Sequence, residues 1–149
     1  MVLRRILCAL ALAICLAPLS ARAEMTIYSA REGLALDGYD VVAFFKGEGA
    51  VSGDQKFSLM WKGVVWRFAS KGNQAQFEAN PRAYAPIFGG YCAYAMSQGY
   101  LAPGDPHMWQ IDDGQLFLLN NPAVQTIWQE QNQKLLQAAQ GNWPAVLRK

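Results

Sequence analysis

The stretch from Lys56 to Ser70, KFSLMWKGVVWRFAS, carries the clearest structural pattern in the chain. Apolar residues alternate with other residues on both sides of the dipeptide Lys62-Gly63. Alternation with period two around a two-residue turn that contains glycine is typical of a β-hairpin. The stretch therefore predicts two antiparallel strands. Ser70 is placed to cap a helix over residues 73–78, and Asn80-Pro81 is expected to end that helix.

A second hairpin and a long helix are predicted toward the C-terminus. MWQIDDGQLFLLN places Asp113-Gly114 between two apolar segments, which is again a hairpin signal. A helix is expected to start near Pro122, because apolar residues follow at helical spacing, and NWP at 142–144 is expected to end it. The predicted fold is a small single α+β domain with two β-hairpins, short helices and a long C-terminal helix.

Two shorter segments complete the predicted order of elements. In LALDGYDVVAFFKGEG we expect a short helix or turn around residues 38–45, with Asp37 in a turn and Asp40 as a helix cap. An alternative is that the two aspartates act as a carboxylate pair. In FGGYCAYAMSQGY the small residues predict a short helix that ends at Gly99, with Cys92 in its first turn.

The first 23 residues have the layout of a secretory signal peptide. Two arginines at positions 4 and 5 precede an apolar run over residues 6–19, and Ala21-Arg22-Ala23 follows. The run is shorter than the roughly 20 residues of a membrane-spanning helix, so cleavage after Ala23 is expected. The mature protein would be a single domain over residues 24–149, periplasmic or secreted, with no attachment to the membrane.

Charge and cysteine content narrow the function classes. Cleavage would remove three of the 13 basic residues and leave all 11 acidic ones, so the mature domain is near neutral and offers no electrostatic case for nucleic acid. Of the three cysteines, Cys8 and Cys15 would leave with the signal peptide. Cys92 then has no partner for an intramolecular disulfide, which marks it as a reactive thiol or an intermolecular partner.

Several sequence blocks occur in order along nearly all of the chain after residue 23. They are DGYDVVAFF, WKGVVWRFASKGNQAQFEANPRAYAP, GGYCAYAMSQGY, DPHMWQIDDGQLFLL and NWP. Together they resemble exported proteins that contain a YHS-like domain. Laid on this sequence, the cysteines of the metal-binding members of the wider group fall at Ala43, Ala69 and Asn73. Alanine cannot bind a metal, and an isolated asparagine amide is a poor zinc ligand.

The same resemblance implies a functional role for Cys92. Exported members keep a cysteine in the GGYCAYA block, and some members carry selenocysteine there, which implies redox or nucleophilic use. A thiol at a helix start is expected to have a lowered pKa. The leading hypothesis is therefore a thiol-based role at Cys92, with Gly89 and Gly90 giving access and Tyr91 and Tyr94 shaping a pocket. A redox cycle would need an external thiol or redox partner.

Two alternatives remain open from the residues. Cys92 and Met96 are four residues apart and share a helical face, so they could bind a soft metal such as copper, with His107 completing the site. Alternatively, Cys92 is a buried, inert residue of a non-catalytic structural or ligand-binding domain, because free cysteine often behaves as a small hydrophobe. The sequence alone does not decide whether the protein is an enzyme.

Overall fold

The predicted hairpin at residues 56–70 forms one side of a four-stranded sheet in the computed structural model, which describes residues 27–148. Strands β3, Asp54–Trp61, and β4, Val64–Phe68, pair antiparallel. Lys62 and Gly63 both have positive φ, 52° and 80°. This is the primed turn geometry that matches the twist of the flanking strands. The hairpin prediction is confirmed, and the predicted signal segment lies outside the described residues.

The other two strands of this sheet were not predicted. Strands β1, Ala30–Arg31, and β2, Leu34–Ala35, pair antiparallel, and β2 pairs parallel with β4. The sheet order is β1-β2-β4-β3. Strands of two residues are too short to show an alternating pattern in the sequence.

The second predicted hairpin is also confirmed. It consists of β5, Asp105–Asp112, and β6, Gln115–Leu119, with Asp113 and Gly114 at positive φ in the turn. Leu118 of β6 also forms an isolated bridge with Cys92. The segment around the cysteine is therefore attached along one side of this hairpin.

Most of the helices begin and end close to the residues that the sequence pattern predicted. They are α1, Val41–Phe45; α2, Lys71–Ala79; α3, Pro81–Tyr84; α4, Ala93–Ser97; and α5, Pro122–Asn142. Side chains of Asp40, Ser70 and Asn121 accept hydrogen bonds from backbone N–H groups at the starts of α1, α2 and α5. The predicted α+β class, with its long C-terminal helix, is thus the observed one.

Strand β6 lies between two apolar clusters. Leu116 and Leu118 belong to a cluster with Trp66 and Phe77, built from the first sheet, α1 and α2. Phe117 and Leu119 face the opposite way, into a cluster with Cys92, Met96 and Trp128 from α4 and α5. Successive side chains of a strand point to opposite faces, so one strand contributes to both clusters. None of the helices between residues 27 and 148 has the length and apolar character that crossing a membrane requires.

Candidate functional site

Cys92 is the residue immediately before helix α4, and it is completely buried. The structure makes it the N-cap, one position earlier than the predicted first turn. Its relative exposure is 0%, and it packs in the cluster that contains Met96, Phe117 and Trp128. The predicted accessible thiol is therefore not present in this conformation.

The electrostatic environment of the Cys92 sulfur combines two opposing effects. Burial raises the pKa of the thiol, because the apolar surroundings disfavour the charged form, and this effect is the larger one. Backbone N–H groups of Ala95, Tyr94 and Asn120 favour the thiolate. They lie near the sulfur without forming a side-chain capping hydrogen bond at the start of α4. The net direction is opposite to the lowered pKa expected from the sequence.

Gly89 and Gly90 have different surroundings. A Cβ at Gly89 would lie 2.0 Å from the carbonyl oxygen of Ile27, and the Gly89 carbonyl accepts a hydrogen bond from Ser29 at 2.8 Å. The position that a side chain would take at Gly89 is therefore filled by the protein's own backbone. Gly90 lines a cavity, and both glycines have positive φ, which favours glycine.

Tyr91 and Tyr94 lie at the edge of the Cys92 cluster. Both are partly buried and pack against its core residues. Tyr91 also lies against Trp143, with 6.4 Å between ring centroids. Desolvation raises the pKa of Tyr91. The two tyrosines thus act as packing residues at the edge of the cluster that contains the thiol.

The three residues of the soft-metal hypothesis are only partly brought together. Cys92 and Met96 share one cluster, and the Met96 N–H donates to the Cys92 carbonyl at 3.0 Å. His107 is exposed on β5, where its Nε2 lies 3.1 Å from the hydroxyl of Tyr39. Between residues 27 and 148, no three His, Cys, Asp or Glu side chains are grouped so that they could hold a metal ion. The His107 ring therefore has Tyr39 as its hydrogen-bonding neighbour, and not Cys92.

A buried carboxyl group, which the sequence identified only as a helix cap, organises a second polar centre. Asp40 is 0% exposed. Its Oδ1 accepts from the Val42 N–H at 2.9 Å, and its Oδ2 accepts from the Ala69 N–H at 2.8 Å and the Asn73 amide at 2.6 Å. The Ala43 N–H donates to the Asp40 carbonyl at 3.2 Å. Positions 69 and 73 therefore meet at the Asp40 carboxyl group, whereas Ala43 bonds to its backbone carbonyl within the same helical turn.

The Asn73 side chain links this carboxyl group to a cation. Its Nδ2 donates to Asp40, and its Oδ1 accepts a hydrogen bond from Nζ of Lys46. Asn73 is itself almost completely buried. The arrangement satisfies the polar atoms of Asp40 inside the core and joins α1, α2 and the end of β4. Sequence reasoning missed the network because its members are about 30 residues apart.

A groove with a mixed lining opens beside the Cys92 segment; we call it the Arg31 groove. Its inner cavity, about 130 Å³, and its outer part, about 380 Å³, share the lining residues Arg31, Asp37, Pro103 and Gly104. The inner cavity is also lined by Ala30, Leu36, Gly90 and Leu118. Asp105 and Asn120 line the outer part. Since these residues come from distant segments, no local motif revealed the groove.

Comparisons of this chain with protein-family models, with curated proteins and with solved structures found no match.

The raised pKa of Cys92 predicts a loss of stability at alkaline pH. Below about pH 8.5, the usual thiol pKa, the thiol is neutral in both folded and unfolded chains. Above it, the unfolded chain loses the proton first, so stability falls as pH rises toward the higher folded pKa. We expect the folding free-energy advantage of wild type over Cys92→Ala, about 1–2 kcal/mol near pH 7.5, to shrink by pH 10.

Urea unfolding of both proteins across this pH range measures the difference. Tyr28 and Tyr91, whose pKa values burial also raises, are present in both proteins and largely cancel. An advantage that stays constant to pH 10 would show that the folded thiol ionises as readily as the unfolded one.

Proposed function

We propose that this protein is an exported YHS-like domain whose function depends on the thiol of Cys92, masked at rest and reactive toward an external partner after a local opening. The observation that carries the proposal is the set of backbone N–H groups near the sulfur. Tyr94 and Ala95 belong to α4, whereas Asn120 follows β6, so two elements present donors to one buried atom.

The two opposing effects on the pKa suit a masked thiol. In the closed conformation burial keeps the sulfur protonated, which protects it from adventitious oxidation. Once water or a partner reaches the site, the effect of burial on the pKa of the thiol falls while the N–H groups remain. The thiolate, which is the reactive form, is then favoured.

The segment from residue 98 to 104 is the proposed moving part. The Cys92 N–H donates to the Ala102 carbonyl at 2.8 Å, and Tyr91 pairs with Pro103. Tyr100 and Leu101, in the same segment, are exposed. Release of these main-chain contacts, together with a movement of the start of α4 away from Phe117 and Trp128, would uncover the cysteine. Such a local opening is of the kind that folded proteins undergo.

Chemistry at this thiol requires an external co-reactant. Cys92 is the sole cysteine between residues 27 and 148. In the redox form of the proposal, the Cys92 thiolate attacks one sulfur of a partner disulfide. A mixed disulfide forms, the partner's S–S bond breaks, and its other sulfur leaves as a thiolate. A second external thiolate then attacks the partner's sulfur in this mixed disulfide, forms a new disulfide with the partner, and releases Cys92 as a thiolate.

The YHS-like assignment is supported by the network around Asp40. Ala43, Ala69 and Asn73 are the positions at which the sequence resemblance places the cysteines of metal-binding members. In this structure Ala69 and Asn73 both bond to the Asp40 carboxyl group, and Ala43 lies in the helical turn that Asp40 caps. The meeting of Ala69 and Asn73 with a residue so far away in sequence is what a shared fold would produce. Export, to the periplasm or outside the cell, rests on the signal-peptide pattern of residues 1–23.

A second candidate is a non-catalytic domain in which Cys92 is inert. Its complete burial and its raised pKa favour this alternative. Buried cysteines in apolar surroundings usually serve as packing residues. The two candidates differ in one measurable property, which is whether the thiol becomes reactive without global unfolding.

Alkylation of the folded protein by iodoacetamide tests the proposal. A matched control is Ala139→Cys in a Cys92→Ala background, because Ala139 is fully buried in the same cluster but lies within α5. We expect the native Cys92 to react at least about tenfold faster than the control thiol, with little dependence on low urea concentrations, because local opening exposes little surface.

The opposite result is equally clear. If both thiols react at the same rate, with the urea dependence of global unfolding, Cys92 is an inert core residue. In the soft-metal alternative, Cu(I) would protect Cys92 from alkylation, and Met96→Leu would abolish the protection.

A further inference from the structure

The two ends of the Arg31 groove have different chemical character. At its mouth, Nε of Arg31 lies 3.7 Å from Oδ1 of Asp37, and Asp105 contributes a second carboxyl group. Oδ1 of Asp105 accepts a hydrogen bond from the His107 N–H at 2.8 Å, so a ligand would meet Oδ2. The mouth therefore presents one cation and two carboxyl groups within one small space.

The Arg31–Asp37 ion pair at the mouth can be replaced by ion pairs with a charged ligand. The Arg31 side chain is 71% exposed and the Asp37 side chain 33%. Ion pairs this exposed contribute little to stability, because water screens them and holding the side chains costs entropy. A ligand that carries both a carboxylate and an ammonium group could pair with Arg31 and Asp37 separately and leave neither charge without a partner.

The inner cavity is suited to an apolar group. Ala30, Leu36, Pro103 and Leu118 are its apolar lining residues, and Arg31 and Asp37 line it as well. Its volume of about 130 Å³ equals roughly four waters at about 30 Å³ each, and an apolar cavity of about 150 Å³ is large enough for benzene. A branched aliphatic side chain fits this space.

The wall that joins the two ends is held in a costly backbone conformation. Leu36 and Asp37 both have φ of 52°, in the left-handed region that residues with a side chain avoid. This turn places Leu36 at the inner cavity and Asp37 where the cavity meets the mouth. Such conformations persist where the surrounding structure enforces them, and they are frequent at ligand sites. The groove is therefore preformed, with its apolar and charged ends on adjacent residues.

From this arrangement we propose that the Arg31 groove binds a free α-amino acid with a small aliphatic side chain. The carboxylate pairs with Arg31, the ammonium group pairs with Asp37 and Asp105, and the side chain enters the inner cavity. This inference goes beyond the proposed thiol function and does not depend on it. Cys92 is not among the lining residues, so Cys92→Ala is expected to bind the same ligand.

Titration of the isotope-labelled protein with L-valine, followed by NMR, tests the proposal. We expect saturable shifts of the Gly90 and Gly104 amides, which line the groove. Isobutylamine, which lacks the carboxylate, and 3-methylbutanoate, which lacks the ammonium group, should each bind at least about tenfold more weakly, as expected when a charged partner is left unpaired.

Variants of the lining residues make the test specific. Arg31→Gln, Asp105→Asn and Ala30→Leu, which fills the inner cavity, should each weaken L-valine binding at least about tenfold, whereas Glu32→Gln, an exposed neighbour outside the lining, should leave it unchanged. The proposal is overturned if L-alanine, L-valine and L-leucine give no saturable shifts up to about 10 mM, a weak-binding limit. It is also overturned if isobutylamine binds as well as L-valine, or if Ala30→Leu and Arg31→Gln have no effect.

Discussion

Replacement of Asp40 by alanine is expected to lower the free energy of unfolding by about 3–5 kcal/mol, since it leaves several buried N–H donors without an acceptor. The substitution would leave the Val42 N–H, the Ala69 N–H and the Asn73 amide without their acceptor. Each buried donor without a partner costs about 1–3 kcal/mol. It also removes the cap of α1. Urea unfolding monitored by tryptophan fluorescence measures the loss.

Two further variants separate this network from a general effect of losing an aspartate. Asp54→Ala removes an exposed carboxyl group that pairs with Lys56 at 3.1 Å, and should have a much smaller effect, because water screens exposed ion pairs. Asn73→Ala leaves Asp40 with its two backbone donors but removes the link to Lys46, so an intermediate loss of about 1–3 kcal/mol is expected. If Asp40→Ala costs no more than Asp54→Ala, the network does not stabilise the fold.

Phe77→Ala is expected to destabilise the protein by about 3–5 kcal/mol, as is usual when a buried aromatic ring is removed from a close-packed core. Phe77 is 0% exposed, and its ring centroid lies 4.8 Å from that of Trp66 and 5.2 Å from that of Phe68. It is the contact through which α2 packs on the hairpin of β3 and β4. The cavity cannot collapse easily, because rigid rings surround it.

Thermal and urea unfolding of Phe77→Ala would measure this effect, with Met60→Ala as the control. Met60 is also on the hairpin, on β3, but it is 73% exposed, so its truncation should change stability by no more than about 0.5 kcal/mol. Equal effects of the two substitutions would mean that Phe77 does not lie in the core.

The elements that the sequence predicted correctly are those with a strong local signal. Lys62-Gly63 and Asp113-Gly114 stand between apolar segments, and both pairs adopt the positive φ values that primed hairpin turns need. The start of α5 was predicted from Pro122, which is suited to a first helical turn. Leu36 and Phe88 were not predicted to be left-handed, because side chains of this size are rare there and only tertiary packing imposes the conformation.

The sequence predicted where Cys92 lies relative to its helix, but it did not predict which residues bury the side chain. The GGYC block placed Cys92 at the start of a short helix, and the structure puts it one residue before that helix. Its burial arises from residues of β6 and α5, such as Phe117 and Trp128, which no local pattern connects to it. The same is true of the Arg31 groove, whose charged residues Arg31 and Asp105 are 74 positions apart in the sequence numbering.

The position of β6 has a consequence for how the domain unfolds. Leu116 and Leu118 serve one apolar cluster, and Phe117 and Leu119 the other. Neither half is expected to unfold alone. If one cluster separates from β6, the strand loses the packing on one of its faces, and the other cluster needs that strand in place. The two clusters are therefore expected to unfold as one cooperative unit. A disturbance in either half is shared with the other, while the segments at the edges of the fold remain free to open on their own.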